Sequence, residues 1–285
     1  MSRLASLALE NDIDTPFALQ IIRRYALPAP ADADLQWPWP VRIHTMGRFA
    51  MERDGAPPPS GKKESRKPLD LLKLVVALGG AAVPVAQLCA ALWPEAQGDA
   101  ARNSFDNALH RLRKLLGADH HLQMSSGTLS LNPATCWTDL AALEACLAKV
   151  SRVAQNPEPE QALSFLDQVM ALYPGEFLAG EEELPDVLVA RHRIQDRFRR
   201  QMGELGAALE SRGHPAAAAL IYQRIIEQQP LAEDISRRLI ACLIGLGQPA
   251  EAYEVYRRCR QQLSVVLGIR PSPQTDALVA NLRNL

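Results

Sequence analysis

The stretch DAARNSFDNALHRLRKLLG, residues 99–117, has the pattern of a helix with two chemically different sides. Asp99 is a residue type that caps helix N-termini, and Gly117 suits the left-handed position just past a helix C-terminus. Between them, four apolar residues recur at helical spacing and fall on one stripe: Phe105, Leu109, Leu112 and Leu116. The sequence therefore predicts an amphipathic helix over residues 100–116, buried along this stripe.

The opposite side of the predicted helix carries amide and cationic side chains and no apolar residue. Planar amides and guanidinium groups match the hydrogen-bonding edges of bases, and cations bind phosphates. An ordinary solvated helix face can have the same composition, so the helix alone leaves both interpretations open. The members of this side are Asn103, Asn107, His110, Arg111 and Lys114, with Arg102 and Arg113 at its flanks.

The segments around this helix predict an order of strands, three helices and a hairpin. Residues 41–55 alternate in hydropathy and end in Asp-Gly, which indicates two short strands, and residues 66–78 and 83–94 have helical patterns. Residues 121–133 alternate across Ser-Ser-Gly, which indicates a hairpin. A helix-turn-helix followed by such a hairpin is a winged helix, and its third helix enters the major groove of DNA. Position and chemistry therefore agree on DNA binding.

Composition sets the broad class of the protein. The chain has 285 residues, 47% hydrophobic content and a net charge of −1, which is typical of a globular protein with room for two domains. A near-neutral total argues against a uniformly basic surface, but a basic face can be offset by acidic regions elsewhere. The apolar runs are broken by Gly and Pro, the first 30 residues lack a secretion signal, and the five cysteines form no CxxC pair. We therefore expect a cytoplasmic protein that does not associate with membranes.

The second half of the chain contains an internal repeat of tetratricopeptide length. An offset of 34 residues superposes Gly213 on Gly247, Pro215 on Pro249, Tyr222 on Tyr256 and Arg224 on Arg258. Small residues at Ala218 and Ala252 would let paired helices approach closely. A repeat pair cannot bury its faces alone, so neighbouring helices, including a long one from about 184 to 211, must cover them. Such an array offers either a concave groove for a peptide or helix, or only a scaffold or dimer surface.

Two known domain families resemble these halves. Residues 41–133 resemble the response-regulator-type winged helix through RKPLDLLKLVVAL, VPVAQLCAALWP and NALHRLRKLLG. Residues 137–285 resemble the bacterial transcriptional activator domain of the antibiotic-regulatory-protein type, through GHPAAAALIYQRIIEQQP, GQPAEAYEVYRRCRQQL and LGIRPSPQTDAL. The resemblance implies a transcription regulator, an activator, whose second domain binds a partner or helps pair two copies on DNA. The partners it implies are double-stranded DNA, RNA polymerase and a second copy of the chain.

We therefore predict a mainly α protein with a small β component, in which a winged helix-turn-helix domain precedes an all-α, tetratricopeptide-like (TPR-like) helical repeat domain. Residues 1–40 are interpreted as a helical tail and Pro-rich linker, residues 41–135 as the winged helix, and residues 136–285 as the activator domain. Trp37 and Trp39 in the linker are expected to pack on the edge of the winged helix rather than to stack on bases.

The predicted DNA contacts form two groups. Base edges are read from the centre of the helix by Asn103, Asn107, His110 and Arg111. Phosphates are held by Arg102, Arg113 and Lys114 on the same helix, and by Lys63 and Lys67 before the first helix. For the last two, a solvated basic loop is an equally good interpretation. The hairpin has no Arg or Lys at its tip, so minor-groove reading by a wing cation is not expected.

Catalytic and metal chemistry find no support in the sequence. GAPPPSGKK resembles a phosphate loop, but its glycines are misplaced and its prolines remove the amides that phosphates need. His120 and His121 have no further ligand at metal-binding spacing, so we predict no enzyme activity, metal or cofactor. The rival class is a protein-interaction adaptor whose winged helix does not bind DNA, which the near-neutral charge and the uncharged wing favour. Binding to random duplex that weakens steeply with salt distinguishes a DNA reader from an adaptor.

Overall fold

The computed structural model describes residues 1–25, 27–30, 36–57, 66–96, 98–181 and 184–280. The chain forms two compact units: the first contains residues 1–142 and 177–191, and the second contains residues 143–176 and the described residues from 192 onward. The fold is mainly helical with small sheets, which confirms the predicted fold class. The domain boundaries drawn from the sequence, after residues 40 and 135, stay a prediction.

Among its described residues, the first unit has two N-terminal helices, six short strands and the three helices predicted to form the helix-turn-helix. In chain order these are α1 (Ser2–Glu10), α2 (Thr15–Arg24), β1 (Val41–His44), β2 (Ala50–Arg53), α3 (Arg66–Ala77), β3 (Val83–Pro84), α4 (Val85–Leu92), α5 (Asp99–Leu116), β4 (Leu122–Ser125), β5 (Thr128–Leu131) and β6 (Cys136–Thr138). Two further helices, α6 (Asp139–Leu147) and α9 (Pro185–Ser211), have residues in both units.

Two three-stranded sheets frame the helices of this unit. In one, β1 lies between β2, to which it is antiparallel, and β6, to which it is parallel. In the other, β5 lies between β3 and β4, and both pairs are antiparallel. The sequence predicted β1, β2 and the β4–β5 hairpin. It did not predict β3 and β6, because strands of two and three residues are too short for alternation to be recognised.

The end of β1 is fixed by one carboxylate. Asp139, at the start of α6, accepts hydrogen bonds from the backbone N–H groups of Thr45 and Met46 at 2.7 and 2.8 Å. Its other oxygen accepts from the Thr45 hydroxyl at 2.7 Å and from the N–H of Leu140 at 2.8 Å. Bonds to an ionised acceptor are among the stronger ones in proteins. Asp139 therefore joins the segment after β6 to the end of β1.

The predicted apolar stripe of α5 is buried in the first unit. Its four residues, and Ala108 beside them, have at most 4% of their surface exposed: Phe105, Leu109, Leu112 and Leu116. They face helix α3, from which Leu71, Leu72 and Val75 are also fully buried. Burying each large apolar side chain contributes about 1.5–3 kcal/mol, so this contact fixes which side of α5 faces outward.

The start of α5 differs from the prediction. The N-cap is Gly98, with φ of 53° and ψ of −123°, and no side chain caps the helix there. The predicted cap, Asp99, instead lies in the first turn, where its charge favours the positive end of the helix dipole. Glycine takes this position because its positive φ is costly for residues with a Cβ. The predicted C-terminal glycine is confirmed, since Gly117 has φ of 95°.

The N-terminal tail packs into the first unit. Trp37 and Trp39 are 1% and 8% exposed and form a cluster with Leu9 and Ile22, as expected for packing rather than base stacking. The Arg42 guanidinium lies 5.8 Å from the Trp39 ring centroid and donates a hydrogen bond to the carbonyl of Trp37 at 2.8 Å. Cation–π and hydrogen-bond contacts therefore hold the linker against β1.

The second unit is built of helices. Besides residues of α6 and α9 it contains α7 (Val150–Gln155), α8 (Pro159–Leu172), α10 (Pro215–Gln228), α11 (Glu233–Gly245), α12 (Pro249–Gln262), a π-helical turn (Leu263–Leu267) and α13 (Pro273–Ala280). Helix α10 packs on α11, and α11 packs on α12. The four repeat positions Ala218, Ala252, Tyr222 and Tyr256 are buried, as the 34-residue offset predicted. The tetratricopeptide identity of the repeats stays a prediction.

Candidate nucleic-acid interface

The outward side of α5 carries five exposed polar side chains with no partner among the described residues. The structure places Asn103, Asn107, His110, Arg111 and Lys114 there, all classed as exposed, opposite the buried stripe. No hydrogen bond or ion pair within the described part of the chain engages any of them. Four of these are the predicted base-reading residues, so the structure brings them together on one helix side. Their role on DNA stays a prediction.

One flank of this side is occupied by an ion pair. Nε of Arg102 lies 3.2 Å from Oδ2 of Asp106, one helical turn away, and both side chains are about half exposed, at 48% and 51%. The Arg102 guanidinium also lies 5.4 Å from the centroid of the buried Phe105 ring. The predicted phosphate ligand Arg102 therefore already has an acidic partner. Asp106 was not predicted as a partner of Arg102, although an Arg and an Asp four residues apart on a helix are a recognisable pair.

Arg113, on the same flank, is also paired. Its Nε lies 3.9 Å from Oδ1 of Asp119, in the turn after α5, and its side chain is 28% exposed. This contact is ionic only, because the buried Nε makes no hydrogen bond within the described residues. A cation in the last helical turn is further favoured by the helix dipole. Of the three phosphate ligands predicted on α5, only Lys114 has no ionic partner in the described part of the chain.

Of the two lysines predicted to bind phosphate near the start of α3, the structure describes only Lys67. Lys67 lies in the first turn of α3, and its Nζ donates a hydrogen bond to the carbonyl of Leu92 at 2.9 Å, near the ring of Trp93. This bond ties the start of α3 to the end of α4, but an ammonium has two further donors. Lys63 lies outside the described residues.

The hairpin of β4 and β5, which is the predicted wing, has an uncharged tip that hydrogen bonds hold in place. Ser126 and Gly127 both have positive φ, 47° and 76°, as in a tight two-residue hairpin turn. The Thr128 hydroxyl donates to the carbonyl of Ser125 at 2.8 Å, and the carbonyl of Gly127 accepts from the N–H of Val85 at 2.9 Å. The last bond links the wing tip to the first residue of α4.

A charged cluster in the first unit joins α3 to the segment before α9. Nζ of Lys73 is 2.6 Å from Oε1 of Glu181 and 4.9 Å from the Phe49 ring centroid, and only 9% of the lysine side chain is exposed. Burial raises the pKa of the nearby Asp70 carboxyl, while the positive charges of Lys73 and Arg66 oppose this rise. Since each buried charge has an opposite partner, we interpret this cluster as structural.

The second unit has a groove of about 470 Å³ lined by α9 and α11. Three arginines and three acids form most of its wall: Arg199, Arg200, Arg238, Asp196, Glu204 and Asp234. Arg199 is bound to Asp234 at 3.0 Å, and Arg238 lies 3.3 Å from Glu210. The groove thus offers charges of both signs in balance, a lining that suits a peptide rather than a strongly charged ligand.

The described residues contain neither a metal-binding cluster nor a membrane-spanning helix. No group of three or more His, Cys, Asp or Glu side chains there is arranged to bind a metal ion. None of the helices in the same residues combines the length and apolar character needed to cross a bilayer.

The chain matches one family model and is similar to several known regulatory proteins. A family model described as the bacterial transcriptional activator domain matches residues 138–283. The chain is 26% identical over 258 residues to the regulatory protein AfsR of Streptomyces griseus, covering 90% of this chain and 25% of that protein. It is 27% identical over 241 residues to the transcriptional regulatory protein EmbR of Mycobacterium tuberculosis, covering 82% of this chain and 61% of EmbR.

The chain is also similar to a further regulator and to a solved structure. The transcriptional regulator RedD of Streptomyces coelicolor is 27% identical over 237 residues, which are 81% of this chain and 67% of RedD. The solved structure of M. tuberculosis EmbR in complex with a low-affinity phosphopeptide has a TM-score of 0.63 at 25% identity, and the match covers 86% of this chain and 66% of that one. The chain thus spans a quarter of the length of AfsR and about three fifths of that of EmbR.

Proposed function

Because this chain belongs to the family of the bacterial transcriptional activator domain, we propose that it is a sequence-specific DNA-binding regulator that activates transcription in the cytoplasm. The relatives are described as regulatory or transcriptional regulatory proteins, which supports the regulatory role. The observation that carries DNA binding is the outward side of α5, where five exposed polar groups have no partner within the described chain.

The proposed mechanism places α5 in the major groove of double-stranded DNA. Arg111 offers two parallel donors, which match O6 and N7 of guanine, and Asn103 and Asn107 offer a donor and an acceptor, which match N6 and N7 of adenine. His110 lies one turn before Lys114 and adds a further hydrogen-bonding group. The buried stripe on the other side of α5 holds the helix in the orientation that base reading requires.

The phosphate contacts are proposed to come chiefly from Lys114, because its ammonium has no acidic partner in the described residues. Lys67 can use its two remaining donors, and Lys63 is proposed from the sequence alone. Arg102 can offer a phosphate the guanidinium N–H groups that do not bind Asp106, whereas Arg113 must leave the exposed Asp119. Ion pairs with an exposed partner contribute only about 0–1 kcal/mol, so this step costs little.

The second unit is proposed to bind a protein partner or a second copy of the chain. Its groove, with balanced charges of both signs, is the surface we assign to that role. Helix-turn-helix proteins that pair on DNA read half-sites about one helical turn apart, so a homodimer predicts a site with two spaced halves. RNA polymerase is the partner expected of an activator.

Selection of bound sites from random duplex DNA tests the proposal. The purified chain should enrich a defined sequence, and its affinity for that site should fall linearly on a log–log plot against salt concentration. The rival function, an adaptor whose winged helix does not touch DNA, predicts no enrichment and no salt-dependent binding. The uncharged wing tip and the paired Arg102 and Arg113 are the observations that favour this rival.

A further inference from the structure

Asp106 is an acidic residue on the flank of the side of α5 that is proposed to face DNA. It lies one helical turn after Arg102 and one turn before His110, and 51% of its side chain is exposed. Oδ2 is bound to Arg102, whereas Oδ1 has no hydrogen-bond partner in the part of the chain that the structure describes. A hydrogen-bond acceptor with a full negative charge therefore points away from the core.

A carboxylate at this position lowers affinity for every DNA sequence, because it repels the phosphate backbone. It becomes favourable only where it accepts a hydrogen bond from a base. In the major groove two bases present amino donors, cytosine through N4 and adenine through N6. Adenine also presents the acceptor N7 beside its donor, which repels a carboxylate, whereas cytosine presents the donor alone. The chemistry of Asp106 therefore fits cytosine.

Arg102 holds this carboxylate in place. Its Nε is 3.2 Å from Oδ2 of Asp106, and its guanidinium lies against the ring of Phe105, which is completely buried. The arginine is thus anchored to the core on one side and to the carboxylate on the other. This arrangement limits the orientations of Asp106 and leaves Oδ1 for a base.

We infer that Asp106 is a specificity-determining residue that accepts a hydrogen bond from N4 of one cytosine, and that Arg102 positions it. This inference rests on the proposed function. It adds a sequence-specific contact that the four base-reading residues on α5 do not supply, since those are donors or mixed donor–acceptor groups that match purines.

The experiment compares sites selected from random duplex by the full chain and its Asp106→Asn variant. Asn has nearly the same shape but matches N6 and N7 of adenine, so we expect the variant to select adenine where the wild type selects one cytosine. The wild-type preference for that cytosine should be about 5- to 10-fold, and Asp106→Ala should reduce it to near one. Glu95→Gln is the matched control, because it removes one exposed carboxylate of the same unit outside α5.

A second measurement uses the wild-type protein alone. A methyl group on N4 of the implicated cytosine removes the major-groove donor while base pairing remains, so binding should weaken about 5- to 10-fold. Methylation of N4 at other cytosines of the site should leave affinity nearly unchanged. Arg102→Ala should reduce the preference at the same base pair, as a positioning role requires.

The outcomes separate the two proposals. If the wild type selects no sequence, the proposed function fails and this inference fails with it. If the wild type selects a site but Asp106→Asn and Asp106→Ala select the same one, only the role of Asp106 is overturned. The same conclusion follows if N4 methylation has no effect at any cytosine of the site.

Discussion

Gly206 and Tyr222 approach so closely that a Cβ at residue 206 would lie 2.5 Å from Cε1 of the tyrosine ring. The ring is completely buried, and its hydroxyl donates to Glu210 and accepts from Arg238 at 3.3 Å. The tyrosine therefore has little freedom to move away, and the contact between α9 and α10 requires glycine at this point.

The first prediction is that Gly206→Ala destabilises the second unit. Overpacking costs typically about 1–3 kcal/mol, which outweighs the gain of up to about 1 kcal/mol from replacing glycine by alanine in a helix. Urea unfolding followed by circular dichroism measures the change. Gly245→Ala is the control, because a Cβ there meets no atom within 4 Å, and it should leave stability unchanged or raise it. Equal stability of the Gly206 variant and the wild type would contradict the close contact.

The second prediction separates base reading from phosphate binding on α5. Arg111→Ala should remove about 1–3 kcal/mol of discrimination at one base pair, because a bidentate contact to guanine is lost. Lys114→Ala should weaken binding to all duplexes about equally and reduce the salt slope by about 0.9, the value for one phosphate. Fluorescence anisotropy at several salt concentrations, on the selected site and on random duplex, measures both. The assignment of this side is wrong if both variants bind like the wild type.

The third prediction concerns pH. His121 is buried, its Nδ1 lies 2.9 Å from the Thr135 hydroxyl, and burial together with the neighbouring His120 lowers its pKa below the ordinary 6.5. A lowered pKa means that the unfolded chain binds the proton more tightly than the folded one. The stability contributed by neutral His121 is therefore complete above about pH 6.5 and is lost as pH falls below that value.

Urea unfolding between pH 5 and 8 measures this effect. His121→Gln keeps a polar side chain but cannot titrate, so its stability should fall less between pH 6.5 and 5 than that of the wild type. The difference between the two curves isolates the histidine from the carboxyl groups, which begin to titrate at the acidic end. Parallel curves would show that His121 contributes nothing to the pH dependence.

The fourth prediction is that Asp139→Asn destabilises the first unit by about 2–3 kcal/mol. Both carboxylate oxygens accept from backbone N–H groups: Oδ2 from Thr45 and Met46, and Oδ1 from Leu140. In the variant, the side-chain NH2 group replaces one of these oxygens and cannot accept a hydrogen bond. Thermal unfolding measures the loss. Asp12→Asn, an exposed substitution between α1 and α2, serves as control and should change stability by less than about 0.5 kcal/mol. An Asp139 variant as stable as this control would contradict the network.

Periodicity predicted the elements that bury one continuous side. The stripe of α5 is buried, and so are the Ala and Tyr positions of the 34-residue repeat: Ala218, Tyr222, Ala252 and Tyr256. The start of α5 was missed, because Asp99 is a good cap by type but the backbone angles at Gly98 decide where the helix begins. The strand β6 was missed because it is short and because its partner β1 lies about 95 residues away in sequence, as the pairing of Val41 with Cys136 shows.

Contacts of the candidate site were harder to predict when their two residues do not lie on the same helix. The pair of Arg102 with Asp106 is local and could have been recognised, whereas that of Arg113 with Asp119 depends on the turn after α5. The assignment of residues 177–191 to the first unit depends on bonds such as the Leu178 N–H to the Thr45 carbonyl at 2.7 Å. No local pattern encodes such a bond, because any backbone N–H can donate.

Residues that support α5 and residues on its outward side are separate sets. The outward positions Asn103, Asn107, His110 and Arg111 make no contact on which the core depends, since the buried stripe is formed by other residues. Evolution, or an engineer, can therefore exchange the outward set while the scaffold keeps its stability. On the proposed function, one backbone can then serve many promoters through a few codon changes in a single helix.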